Sequence, residues 1–191
     1  EVVDLSPLTG LRAVRHLDLD ETPVADLAPL SALHGLERLF LWNTQVSDLS
    51  PLAGLDRLEM LDVRQTAVRD LAPLAGLGRL RNLNVSLTAV TDVAPLAGLA
   101  GLEHLSLYYT DIADIAPLAG LTGLRSLDLN QTAVADLRPV AGMPLLAEAP
   151  GKMGLQFAGC AAAAADPRIA EIAEIRDDAA RARALFAHLG G

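Results

Sequence analysis

The chain has one cysteine, Cys160, and one lysine, Lys152, and only 3% of its residues are aromatic. A lone cysteine excludes an internal disulfide framework and favours a reducing compartment, so a cytoplasmic location is expected. Apolar residues are plentiful, at 51%, but they are spread at regular intervals. No run approaches the roughly eighteen needed for a membrane-spanning helix, and no membrane association is expected. With 15 basic against 24 acidic residues the formal net charge is −9, whereas a nucleic-acid binder carries a basic footprint, so nucleic acid is not an expected partner. The sequence also lacks GxxxxGK[ST], HExxH, GxSxG and CxxC, so neither catalysis nor a cofactor is expected.

What the sequence does have is a strict period. Thr22, Thr44, Thr66, Thr88, Thr110 and Thr132 recur every 22 residues, as do Pro7, Pro29, Pro51, Pro73, Pro95, Pro117 and Pro139. Each proline follows an aspartate by three: Asp4, Asp26, Asp48, Asp70, Asp92, Asp114 and Asp136. One unit, residues 36–57, reads LERLFLWNTQVSDLSPLAGLDR. Self-similarity at such a period marks stacked supersecondary units.

Two spacings inside the unit give its conformation. In LFLW, Leu39 and Leu41 alternate with Phe40 and Trp42, the two-residue period of a short strand. The proline lacks an N–H and holds the preceding residue extended, so DLSPLAGL should turn into a short 3-10 segment. A single unit offers seven apolar positions, Leu36, Leu39, Leu41, Val46, Leu49, Leu52 and Leu55, too few to close a core alone. Stacked units share one, which predicts a solenoid with a parallel sheet along one side.

This pattern resembles the leucine-rich repeat family, specifically the 22-residue class shared by bacterial internalins and eukaryotic regulators of a protein phosphatase. The resemblance covers residues 1–146, with a half repeat at 1–13 followed by six full units. It implies an α/β fold, a right-handed solenoid whose curved parallel sheet forms the concave face and whose 3-10 and extended turns form the convex one. The family usually places Asn where this chain has Thr, and the amide bonds to neighbouring turns. A Thr ladder with fewer bonds per turn is expected here.

Both ends depart from the period. Residues 1–12 supply only the second half of a repeat, without a strand or polar cap, so the parent protein is expected to continue upstream. Residues 147–191 form a degenerate last strand and a helical cap. Leu155, Phe157 and Cys160 match the strand and ladder positions of a seventh unit delayed by six residues, so Cys160 reads as a buried thiol closing the ladder. Beyond the alanine run, Asp166 is a helix N-cap with Pro167 at the first turn. Asp177 or Asp178 could cap a second helix. Ile169, Ile172, Ile175, Ala179, Ala182, Phe186 and Leu189 give this tail one apolar face, fit to cover the last repeat. The tail is similar to those ending many bacterial leucine-rich repeat proteins.

The period also assigns the outward face of the sheet, the concave binding surface that the resemblance implies. Four rows cross six strands: His16, Arg38, Met60, Asn82, His104, Ser126; then Asp18, Phe40, Asp62, Asn84, Ser106, Asp128; then Asp20, Trp42, Arg64, Ser86, Tyr108, Asn130; then Glu21, Asn43, Gln65, Leu87, Tyr109, Gln131. These positions are about an eighth of the chain, so fewer than one of its six aromatics should fall there by chance. Phe40, Trp42, Tyr108 and Tyr109 do, and large exposed apolar groups mark contact sites. Trp42 and Tyr108, three units apart, would stand roughly 14 to 15 Å from each other, a span suited to a protein or peptide. Asp18, Asp20, Glu21, Asp62 and Asp128 surround them, relieved by Arg38 and Arg64, and favour a partner offering Arg or Lys through ion pairs and cation–π contacts. His16 and His104 share a row but would be roughly 19 Å apart, too far to hold one metal. The expected function is a non-catalytic, monomeric interaction module. A recognition or autoinhibitory portion of a larger enzyme, a ligase or GTPase with its catalytic domain outside this chain, is the alternative.

Overall fold

The computed structural model describes residues 3–148 and 154–190. Seven strands lie side by side in chain order, every neighbouring pair parallel: β1 (His16–Asp18), β2 (Arg38–Phe40), β3 (Met60–Asp62), β4 (Asn82–Asn84), β5 (His104–Ser106), β6 (Ser126–Asp128) and β7 (Leu155–Gln156). Pairing is in register at the repeat length, so that Leu39 faces Leu61 and Leu61 faces Leu83. β7 follows the delayed register, with Leu155 opposite Leu127. The seven apolar positions of each unit point to one core: Leu36, Leu39, Leu41, Val46, Leu49, Leu52 and Leu55 are all essentially inaccessible.

The side opposite the sheet is a stack of 3-10 turns such as Ser50–Leu52, Ala72–Leu74 and Ala94–Leu96, each with proline in its first turn. The residue before each proline, expected to be extended, is instead the first residue of the turn. The recurrent aspartate explains why. Asp48 accepts a hydrogen bond from the Ser50 amide at 2.8 Å, and Asp70, Asp92 and Asp114 do the same for Ala72, Ala94 and Ala116. A carboxylate two residues upstream holds an amide that would otherwise lack a partner at the start of the turn.

The threonines differ from expectation. Each donates within its own unit, Thr44 to the Leu41 carbonyl at 2.9 Å and Thr110 to the Leu107 carbonyl at 2.7 Å, so they close turns and do not form a ladder between them. A short side chain reaches its own carbonyl three residues back, and the inter-unit contact passes to the backbone, where the Gln45 amide donates to the Val24 carbonyl and Ala67 to Val46.

At the C-terminal end the apolar tail is three helices. The alanine run forms α1 (Ala161–Ala165), followed by α2 (Pro167–Ala173) and α3 (Asp178–Leu189). Asp166 caps α2 by accepting from the Arg168 and Ile169 amides, and Asp177 caps α3 by accepting from Ala180. α3 packs on β7 and on the Pro144–Ala147 turn. Leu185 is its most buried large residue, while Phe186 and Leu189 are only partly covered. Beneath α3 lies an ion pair invisible to the apolar pattern. Arg181 Nη1 meets Asp178 Oδ1 at 2.7 Å and the Leu155 carbonyl at 3.0 Å, and its Nη2 donates to the Ile175 carbonyl. Asp178 in turn accepts from the Gly154 amide at 3.2 Å. Both side chains are almost fully buried, so this pair fastens the cap to the edge strand. Cys160 is buried at the start of α1, and burial pushes its thiol pKa up, the signature of an inert core thiol.

Candidate functional site

Strands β1 to β6 are three residues long, so only the first two outward rows lie within them; the third lies two residues past each strand. The fourth row does not lie on the sheet at all. Glu21, Asn43, Gln65, Leu87, Tyr109 and Gln131 all adopt the left-handed conformation, with φ between 53° and 58°. The chain turns out of the ladder there, and the same position in the seventh turn is a glycine, Gly159. The left-handed region costs an ordinary L-residue roughly 1 to 2 kcal/mol. These side chains form a ridge along the rim, which moves Tyr109 off the concave floor.

The floor itself is a shallow groove of about 290 Å³ across β2 to β7. Phe40, Asp62 and Asp128 line it, joined by Met60, Asn84 and His104. Asp18, Asp20, Arg38, Trp42, Arg64, Tyr108 and Tyr109 lie outside its lining. The predicted residues therefore divide among the floor, the strand ends and the ridge.

The acidic residues carry a structural task that the charge count concealed. Asp18, Asp62 and Asp128 each accept a hydrogen bond from the amide two residues on, that of Asp20, Arg64 and Asn130, at 2.9 to 3.0 Å. Asn84 does the same for Ser86. β2 has Phe40 at that position, which cannot accept. Its neighbour compensates, with Asp20 reaching across from the preceding unit to the Trp42 amide at 2.6 Å. β7 repeats the solution, where Asn130 accepts from the Ala158 amide at 2.6 Å. The third-row residue of one unit thus supports the turn of the next wherever the second row gives no short acceptor.

Burial pushes the pKa of Asp62 up, against the lowering effect of its backbone bond and of Arg64. Burial does the same to Asp128, helped by the negative charge of Asp178 in the cap. Asp62 has a cation, Arg64, at 3.2 Å. Asp128 has none among the described residues, and the Nδ1 of His104 on the same floor is buried without a partner.

Trp42 is already engaged. The Arg64 guanidinium sits 5.0 Å from its ring centroid, and its indole N–H donates to Gln65 at 3.3 Å. One ring face is therefore occupied by a cation from the next unit. Tyr108 is 38% exposed and Tyr109 59%, their rings tilted against each other with centroids 6.0 Å apart. Arg38 is exposed on β2 and forms no ion pair among the described residues.

One row was missed altogether. Immediately ahead of the strands run Arg15, Glu37, Glu59, Arg81, Glu103 and Arg125. Arg15 pairs with Glu37 at 2.9 Å, and Glu103 lies between Arg81 and Arg125. Glu59, Arg81, Glu103 and Arg125 border a polar groove of about 500 Å³. The signal was the same 22-residue period, one position earlier. Among the described residues no cluster of three or more His, Cys, Asp or Glu side chains is placed to hold a metal ion.

A parallel sheet closed by capped 3-10 turns at a 22-residue period, with its variable side chains on one face, defines a class of repeat solenoid. The solved structures it resembles share it. An internalin C2 from Listeria monocytogenes superposes with a TM-score of 0.72 at 33% identity, covering 75% of this chain and 63% of that one. A second internalin of that organism, inlF, gives 0.75 at 33% identity over 83% of this chain and 44% of its own. A leucine-rich repeat protein from Leptospira interrogans gives 0.73 at 18% identity over 82% and 40%, a likeness of fold alone. No protein-family model and no curated protein matches the sequence. The chain is a leucine-rich repeat protein of the 22-residue class. It spans less than two thirds of the length of each of these neighbours.

Proposed function

We propose that the chain is a non-catalytic module that, as a monomer, holds a protein or peptide partner on its concave face. The observation that carries this reading is the placement of large side chains that folding does not call for. The core is built of Leu, Val and Ile with one Met, Met143, and no aromatic in the six regular units, yet Phe40, Met60, Trp42 and Tyr108 stand on or beside the outward face of the sheet. Aromatic groups in a concave, partly polar setting are what interfaces use as anchors. Asp128 adds the charge preference. It is half-buried, has no internal cation among the described residues, and would be best matched by a basic side chain of the partner. Asp62, already paired with Arg64, has less to offer.

The test is capture of a partner by the wild-type chain and by Phe40→Ser combined with Trp42→Ala. Serine stands at the Phe40 position in β5, as Ser106, so the sheet accommodates it. Capture should be lost while the circular dichroism melt stays close to wild type. Undiminished capture by the double variant places the contact surface elsewhere.

A further inference from the structure

We propose that Leu87 and Tyr109 form a second anchor, on the rim of the arc, for an extended segment of a partner protein that presents a large apolar side chain beside a Lys or Arg. The proposal rests on the reading of the chain as a protein-binding module, but on different residues from the concave floor.

The left-handed ridge is the starting point. Four of its six positions carry long polar side chains, Glu21, Asn43, Gln65 and Gln131. Such residues suit an exposed turn, and Gln65 uses its amide to bond Asn43 and Trp42. Leu87 and Tyr109 are the two apolar ones, and they sit in consecutive units. Neither is buried by folding, with 41% and 59% of their surface exposed. Leucine in this conformation carries the steric strain of the left-handed region, gains no local hydrogen bond and leaves apolar surface in water. The fold gains nothing from leucine at that place. A contact surface does.

The surroundings indicate what it would contact. A groove of about 670 Å³ runs along the ridge from Gln65 to Gln131 with Leu87 and Tyr109 at its middle. Its floor includes Thr88 and Thr110, whose hydroxyls are already committed to the carbonyls of Val85 and Leu107, so the floor asks for no polar partner. Adjacent turns are about 5 Å apart, so one large side chain can touch both anchors while the segment carrying it continues along the groove. At the edge stands Asp111, an exposed carboxylate with no ion pair among the described residues. That charge, on a chain of net −9, matches a basic residue next to the apolar one. It also disfavours a second copy of this chain as the occupant.

The experiment pans a phage-displayed library of random linear peptides on the whole chain and measures the selected peptides against wild type, Leu87→Asn/Tyr109→Asn and Leu87→Gln/Tyr109→Gln. Selected peptides should share a large apolar residue next to Lys or Arg and bind both double variants about tenfold or more weakly than wild type. Melting midpoints of the variants should equal or exceed that of wild type, because Asn tolerates the left-handed region and Gln already occupies it in two other units. The proposal is overturned by no selected peptide, peptides lacking the basic residue, undiminished binding to both variants, or variants that melt well below wild type. Peptides that bind the ridge variants normally but lose Phe40→Ser would overturn the ridge and leave the concave-face reading standing. A wild-type dimer in equilibrium sedimentation that the variants dissociate would assign the ridge to a second copy and overturn the partner proposed.

Discussion

Trp42 is the chain's only tryptophan, and Arg64 covers one face of its ring, so its fluorescence reports on that contact directly. Arg64→Ala should shift the emission to longer wavelength as water reaches the indole, with a loss of about 0.5 to 1 kcal/mol in a urea melt, the scale of an exposed cation–π pair. Asp128 gives a test of the floor. Burial raises its folded pKa above the unfolded value, so the ionised carboxylate costs stability at neutral pH. That cost is absent below the ordinary aspartate range and appears as pH rises through the raised folded value. Asparagine keeps the acceptor, as Asn84 does in β4. Asp128→Asn should therefore be at least as stable as wild type at about pH 7, the difference closing towards about pH 4. Asp128→Ala, which leaves the Asn130 amide without its partner, should lose about 1 kcal/mol. Urea melts at the two pH values separate these outcomes.

Among the elements, the cap depends most on one interaction. Asp178→Ala would leave Arg181 charged and buried against carbonyl groups, and removing one member of a buried pair costs about 3 to 5 kcal/mol. Hydrogen exchange should show α3 and β7 losing protection first while β2 to β5 keep theirs. This pair also shows where the sequence was and was not legible. The apolar periodicity and the Asp166 and Asp177 caps were readable because they follow local rules. Asp178 looked like a second capping candidate, and its burial depends on Gly154 and Leu155, which a delayed seventh strand brings beneath it. The recurrent aspartates were visible, but their task as acceptors for the turn amides became clear only once the residue before each proline was placed inside the turn. The strand ends were harder. Alternation in LFLW continues past the ladder, and the left-handed residue that ends it is Glu, Asn, Gln, Leu, Tyr or Gln, with no glycine to announce it until Gly159.

At the scale of the molecule, each unit contacts only its neighbours, so a lesion in a central unit weakens two interfaces. Leu105→Ala, fully enclosed in β5, should lose about 2 to 5 kcal/mol. The same change at Leu17, half-buried in β1, should cost clearly less in the same thermal melt. Strict repetition made the architecture legible from the register alone, since seven copies of one hydrophobic pattern admit one stacking. The surface had no such redundancy. Whether Asp20 faces a partner or supports the Trp42 amide depends on Phe40 standing in the neighbouring strand, and the period could not weigh that.

The central claim is that a partner lies on the concave face, and site-directed photo-crosslinking tests it most directly. A photoreactive residue placed in turn at Asn84, Ser106 and Ser126 on the floor, and at Ala53, Ala75 and Ala97 on the opposite side, is irradiated in the presence of the captured partner. The account predicts crosslinks from the floor positions and none from the convex ones. Crosslinks confined to Ala53, Ala75 and Ala97 would contradict it.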